Sequence, residues 1–212
     1  MSRVRMHSIS ISLDGFAAGE PQALETPMGH AGQRLHRWMF DTAFGAAMVG
    51  REGGSHGIDQ AYAQRFADGI GVEIMGAGKF GPPGWQDDAD WRGWWGEEPP
   101  FHTPVVVLTH RPREPLVVGD TTFHFLDASP AVALEAAREL AGGLDVRVGG
   151  GADVARQFLA ARLVDTAHLV QVPIVLGRGA RLWNGLDGIE DDYDVEAVAS
   201  PTGVVHLTLQ RR

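Results

Sequence analysis

Between Val4 and Ser12 the chain alternates, but apolar residues occupy both phases of the alternation: Val4 and Met6 on one side, Ile9 and Ile11 on the other. That pattern predicts a strand covered on both faces. Asp14-Gly15 ends it with turn chemistry, and the small residues Ala17, Ala18 and Gly19 begin a loop. From Gln33 to Met48, Leu35, Trp38, Met39, Ala43, Ala46 and Ala47 recur near helical spacing, predicting one amphipathic helix that stops at Val49-Gly50. Residues 51–70 mix loop glycines with a possible helical turn over Ala61 to Ala67.

Val72 to Met75 reads as a strand, and Gly81 to Pro100 as a long irregular excursion rich in Pro, Trp and Asp. Strands are then expected at Val105–Leu108 and Thr122–Leu126. A helix follows over Pro130–Leu140, with Ser129 as N-cap, Pro130 in the first turn and Gly142-Gly143 at its end. A strand at Asp145–Val148, a helix at Ala152–Ala161 and a strand at Thr166–Val172 continue the alternation. Tyr193–Ala199 and Gly203–Leu209 flank a Ser-Pro-Thr-Gly turn as a hairpin. Alternating strands and helices imply an α/β fold: a mainly parallel twisted sheet flanked by helices, with a C-terminal antiparallel hairpin.

A chain of 212 residues fits a single domain with one sizeable core. The absence of cysteine excludes disulfides and thiolate chemistry. A net charge of −9 argues against partners held by non-specific phosphate attraction, so no nucleic-acid role is expected. No apolar run reaches the roughly 18 residues that span a bilayer, and a cytoplasmic location without membrane attachment is the default expectation. The nine histidines lack zinc-site spacing, so no metal is expected. His36, His124 and His168 are read as structural.

Three strand ends carry groups suited to a phosphorylated ligand. Val148 runs through Gly149, Gly150 and Gly151 into a helix opening with Ala152 and Asp153, where backbone amides can face a phosphate without Cβ atoms in the way. The triplet alone fits a generic glycine turn as well. Gly76-Ala77-Gly78-Lys79 and Thr109-His110-Arg111 follow two further strands, the edge where ligands bind in open α/β sheets. Asp14 is the carboxylate best placed to project into a central cleft, although an Asp-Gly turn also accounts for it. Trp85, Trp91, Trp94 and Trp95 make residues 81–100 a candidate lid or dimer surface, or a loop plugged onto the core.

The order of segments Ile9 to Phe16, Thr103 to Pro112, Thr121 to Phe125, Val148 to Ala152 and Val172 to Gly179 resembles the dihydrofolate-reductase-like superfamily. Within it, the chain is similar to the C-terminal reductase domain of bifunctional riboflavin-biosynthesis deaminase-reductases, in a stand-alone form without the deaminase. The resemblance implies a dihydrofolate-reductase-like domain over residues 1–212 and NADPH-dependent hydride transfer. Gly76, Lys79, Thr109, His110, Arg111, Gly149, Gly150, Gly151, Ala152 and Asp153 would bind the cofactor. Asp14 would orient substrate or deliver a proton. Gly15, Phe16, Pro173, Leu176 and Gly177 would line the substrate side. It also implies a homodimer.

Two departures stand out: Ala77-Gly78-Lys79 replaces an arginine-rich segment, and Asp120 precedes Thr121 where glycine is expected. The implied acceptor is a small heterocycle, foremost a ribosylaminopyrimidine. A pterin or flavin reductase, or a non-catalytic nucleotide-binding or assembly module, are the competing expectations.

Overall fold

The computed structural model describes residues 2–30 and 32–212. Nine strands form the main sheet: β1 (Val4–Ser12), β3 (Ile70–Gly76), β4 (Val105–Leu108), β5 (Leu116–Val118), β6 (Thr121–Leu126), β7 (Asp145–Gly150), β8 (Thr166–Val172), β10 (Tyr193–Ala199) and β11 (Val205–Arg211). Their order is β10-β11-β8-β1-β7-β3-β4-β6-β5. The six strands from β8 to β6 run parallel. The C-terminal hairpin and β5 add antiparallel edges. A two-stranded ribbon joins β2 (Phe16–Ala18) to β9 (Ala180–Arg181).

Helices α5 (Pro130–Leu140) and α6 (Ala152–Ala160) make the crossovers from β6 to β7 and from β7 to β8. Ser129 caps α5 by accepting from Val132 N, as its position predicts. Ala133, Leu134 and Ala137 of α5 and Val154, Ala155, Phe158 and Leu159 of α6 pack on Val4, Val72, Val146 and Leu169 in the largest core cluster. The fully buried Phe158 carries about 3–5 kcal/mol against truncation to alanine.

The single helix expected over Gln33 to Met48 is two: α1 (Gly32–Phe40) and α2 (Ala43–Met48). Thr42, fully buried, breaks the run: its hydroxyl donates to Met39 O (2.6 Å) and accepts from Gly45 N (3.0 Å), so it closes one helix and caps the next. Residues 58–63 form α3 (Ile58–Ala63), and α4 (Ala77–Phe80) is a single turn after β3. β5 was not expected, because Pro115 and Gly119 leave only a three-residue run between them. No helix among the described residues is long and apolar enough to cross a membrane.

Candidate active-site cleft

A cleft of about 920 Å³ opens beside the carboxyl ends of β3, β4 and β7, with the middle of β1 (Ser8, Ile9 and Ser10) in its wall. All three strand-end motifs meet there: Gly76 to Lys79, Thr109 to Arg111, and Gly149 to Asp153. Gly151 opens α6 with no side-chain cap, which leaves the helix's first amides free, and a Cβ at Gly151 would meet nothing within 4 Å. Uncapped amides beside open space fit a phosphate-bearing ligand. Gly150 takes φ +103°, a conformation reserved for glycine, and the Gly150–Gly151 peptide is cis.

A buried charge cluster that sequence reasoning missed underlies this wall. Glu73 and Arg147, 1% and 2% exposed, are cross-strand partners on β3 and β7 and form an ion pair. Lys79 Nζ joins them, 2.6 Å from Glu73 Oε1 and 2.9 Å from Gly149 O. Arg147 also donates to Phe66 O at 2.7 Å and stacks on the Phe66 ring, while its Nε has no partner. Two cations on one carboxylate make this part of the wall locally positive, whereas Glu98, Asp127 and Asp153 bring negative charge to other parts of the lining. Burial pushes Arg147 down to about 9 and Lys79 down to about 7. The Lys79 side chain keeps 27% exposure and touches the Glu73 carboxylate, which pulls the other way, toward the charged form. Gly149 is required by this packing, since a Cβ there would lie 2.2 Å from Glu73 Oε1.

Arg111 sits at the cleft in an exposed ion pair with Asp87 (2.6 Å), tying the 81–100 excursion to the end of β4. His110 faces Asp127 at 3.0 Å, and Asp153 pairs with Arg156 at 2.6 Å. The tryptophans divide their roles. Trp85 and Trp91 plug the excursion onto the core, their indoles donating to Ala77 O and Phe80 O at 3.1 Å. Trp94 and Trp95 line the cleft.

Asp14, Gly15, Phe16, Pro173, Leu176 and Gly177 are not among the residues lining this cleft. The Asp14 carboxylate is engaged elsewhere: it accepts from Ser12 Oγ (2.6 Å), Leu176 N (3.0 Å) and Gly177 N (2.7 Å). These bonds, led by the Ser12 hydroxyl, hold it down to about 2. Arg181 donates to Asp14 O at 2.8 Å and stacks over Phe16. In this arrangement Asp14 latches the loop after β8 onto the turn after β1. Phe16 and Leu176 are buried in the cluster beneath it.

The RibD C-terminal domain family model matches residues 4–205. Among solved structures, the chain is similar over its whole length to a putative riboflavin biosynthesis protein from Shewanella sp. PV-4, with TM-score 0.60, 18% identity and 99% of that chain covered. It is also similar to a diaminohydroxyphosphoribosylaminopyrimidine deaminase/5-amino-6-(5-phosphoribosylamino)uracil reductase from Thermotoga maritima, with TM-score 0.55, 13% identity and 57% of that chain covered. A third similarity is to a pyrimidine reductase-like protein from Corynebacterium diphtheriae, with TM-score 0.52, 14% identity and 92% of that chain covered. These likenesses show the dihydrofolate-reductase-like fold. No curated protein matches the chain by sequence.

Proposed function

Since the chain belongs to the RibD C-terminal domain family, a family of reductases, we propose that it transfers a hydride from NADPH to a small heterocycle such as a ribosylaminopyrimidine. The observation that carries this reading is the convergence of Gly76 to Lys79, Thr109 to Arg111 and Gly149 to Asp153 on one cleft. The open amides at the start of α6 suit the pyrophosphate, and Arg111 suits a 2′-phosphate, for which it would exchange its exposed partner Asp87. When bound, the cofactor supplies the hydride. The chain aligns donor and acceptor between β1 and β7 and excludes water with Trp94, Trp95 and Phe101.

Lys79 and Arg147 give the cleft wall a charge suited to an acceptor that carries a phosphate or develops negative charge during reduction. A pterin acceptor has less support. Asp41, the acidic residue between α1 and α2, makes an exposed ion pair with Arg37 rather than reaching the cleft. The chain acts as a cytoplasmic homodimer on this reading, which sedimentation velocity tests.

Titration of tryptophan fluorescence with NADPH and NADH tests the cofactor assignment, because Trp94 and Trp95 line the cleft. Saturable, NADPH-selective quenching is expected, and Gly151→Asp, at a position with ordinary φ and open space for a side chain, abolishes it while the fold persists. A wild-type protein that binds neither nucleotide sinks the reductase reading and leaves the assembly module in its place.

A further inference from the structure

On the β1 side of the cleft, Ser8 has φ +61°, a left-handed conformation that a serine adopts only under constraint. It sits where the β1–β8 register shifts between Met6 and Ile9, so the bulge turns its side chain out of the ladder. Ser8 lines the cleft, and behind it runs a chain of polar groups. Ser8 Oγ is 3.5 Å from His168 Nδ1, His168 Nε2 is 3.0 Å from His206 Nδ1, and His206 Nε2 is 2.9 Å from Asp59 Oδ1.

The middle of the chain is dry: His168, His206 and Asp59 are 3%, 0% and 4% exposed. Tyr62 stacks on both imidazoles at 4.6 and 4.1 Å, and Trp38 stands edge-on to them. At the far end Asp59 Oδ2 accepts from Thr202 Oγ1 at 2.7 Å, on the exposed turn of the C-terminal hairpin. The contacts therefore run unbroken from the cleft, through β8 and β11, to the protein surface. They span four separate segments of the chain, and a strained backbone residue forms the cleft end.

We propose that Ser8, His168, His206 and Asp59 form a proton relay that carries the proton accompanying hydride transfer between solvent at the Ser200–Thr202 turn and the cleft. This rests on the reductase reading, since adding a hydride to a neutral acceptor leaves an anion that must gain a proton. In the delivering state Ser8 Oγ gives its proton to the acceptor and receives one from His168 Nδ1. His206 Nδ1 reprotonates His168 Nε2, and Asp59 reprotonates His206 Nε2. Asp59, left as carboxylate, takes one proton from solvent, and both imidazoles return from their Nε2–H to their Nδ1–H tautomers before the next delivery, so one proton enters for each one consumed.

Between turnovers Asp59 is ionised and every hydrogen bond points inward from Ser8. In that state the same chain removes a proton from the cleft in the reverse reaction. Burial keeps both His168 and the neighbouring His7 neutral near pH 7, as a relay through uncharged imidazoles requires. His7, Arg65 and Tyr62 are the titratable and charged groups packed against these rings, and Arg147 and Arg5 bear on His7. The long Ser8–His168 separation belongs to the ligand-free site; such bonds tighten when substrate seats.

The test uses the full-length protein with NADPH and either 5-amino-6-(5-phosphoribosylamino)uracil or dihydrofolate as acceptor. Ser8→Gly, Asp59→Asn and His206→Gln are compared with wild type for kcat, KM, NADPH affinity, solvent deuterium isotope effect and melting temperature. Ser8→Gly is the decisive variant: glycine tolerates φ +61°, so its melting temperature stays at or above wild type while kcat falls about 100-fold. KM and NADPH affinity stay put, and added imidazole restores part of the rate. Wild-type turnover that Ser8→Gly and Asp59→Asn leave within twofold overturns the relay and spares the reductase reading. A kcat that falls only together with melting temperature in all three variants makes the chain structural and also overturns it. A wild-type protein that reduces neither acceptor brings down the reductase reading, and the relay with it.

Discussion

Removing the negative charge of Glu73 strands two cations in the wall of the cleft. In Glu73→Gln the amide keeps the size and can still accept a hydrogen bond from Lys79, so the change is almost purely electrostatic. Arg147 is the group that suffers: its side chain is 3% exposed, it stacks against Phe66, and Glu73 is its partner in the ion pair. A buried ion stripped of its partner costs about 3–5 kcal/mol. Lys79 adds less, because its side chain is 27% exposed and can shed its proton as burial already favours.

For a chain of this size roughly 1 kcal/mol corresponds to 2–4 °C in melting temperature, so Glu73→Gln is expected to melt about 6–20 °C lower. Urea unfolding followed by tryptophan fluorescence gives the same quantity as a shift in midpoint at constant slope. The paired change Glu73→Met with Arg147→Met recovers most of the loss, because an apolar pair of similar volume avoids the desolvation that the charges incur. A Glu73→Gln protein within about 1 kcal/mol of wild type would show that Arg147 is solvated in the folded state, and the account of a buried charge cluster would be wrong.

Gly149→Ala places a methyl group 2.2 Å from Glu73 Oε1 and 2.7 Å from Lys79 Nζ, and a loss of about 1–3 kcal/mol is expected by urea titration. Asp14 is held at about 2, below its ordinary 3.8. Its contribution to stability is therefore complete above about 3.8 and lost as pH falls through 2, and Asp14→Asn should flatten the melting curve across that window. His7, pushed down to about 4 by burial, acts in the neighbouring window. The unfolded chain protonates this ring near 6.5 while the folded one does not, so stability falls as pH drops from 6.5 toward 4, and His7→Gln lessens that slope. Phe158→Ala, in the core under the sheet, should cost about 3–5 kcal/mol with NADPH affinity unchanged in the fraction that remains folded.

Local chemistry marked most of the fold. Ser129, Pro130 and Gly142 bracket α5 in the sequence as they do in space, and the glycine triplet joins β7 to α6 as expected. Thr42 escaped notice because the apolar spacing runs through it from Leu35 to Ala47, and a buried hydroxyl serving two helix ends leaves no mark on periodicity. Glu73 and Arg147 did leave one: each is a lone charge inside a run of Val and Ile or Val and Val, and the signs are opposite. Pairing them needs the knowledge that β3 lies beside β7, which a sequence separation of 74 hides. Asp14 illustrates the converse. Its turn position is plain in the sequence, yet the amides it binds lie more than 160 residues later, out of reach of any local pattern. The relay histidines share that difficulty, since His168 and His206 become neighbours only through the β8–β11 pairing.

The 81–100 excursion has one face in the core and the other on the cleft. Trp85 is 3% exposed, wedged among Phe80, Phe125 and the guanidinium of Arg113, which in turn donates to Trp91 O. Swinging Trp94 and Trp95 away would drag those indoles into water, at a cost comparable to unpacking part of the interior. This side of the mouth is therefore a fixed jamb rather than a door. Gln22, Pro27 and Met28, on a turn outside any regular element, also line the cleft. A ligand that enters this cleft must therefore fit past Trp94 and Trp95 as they stand.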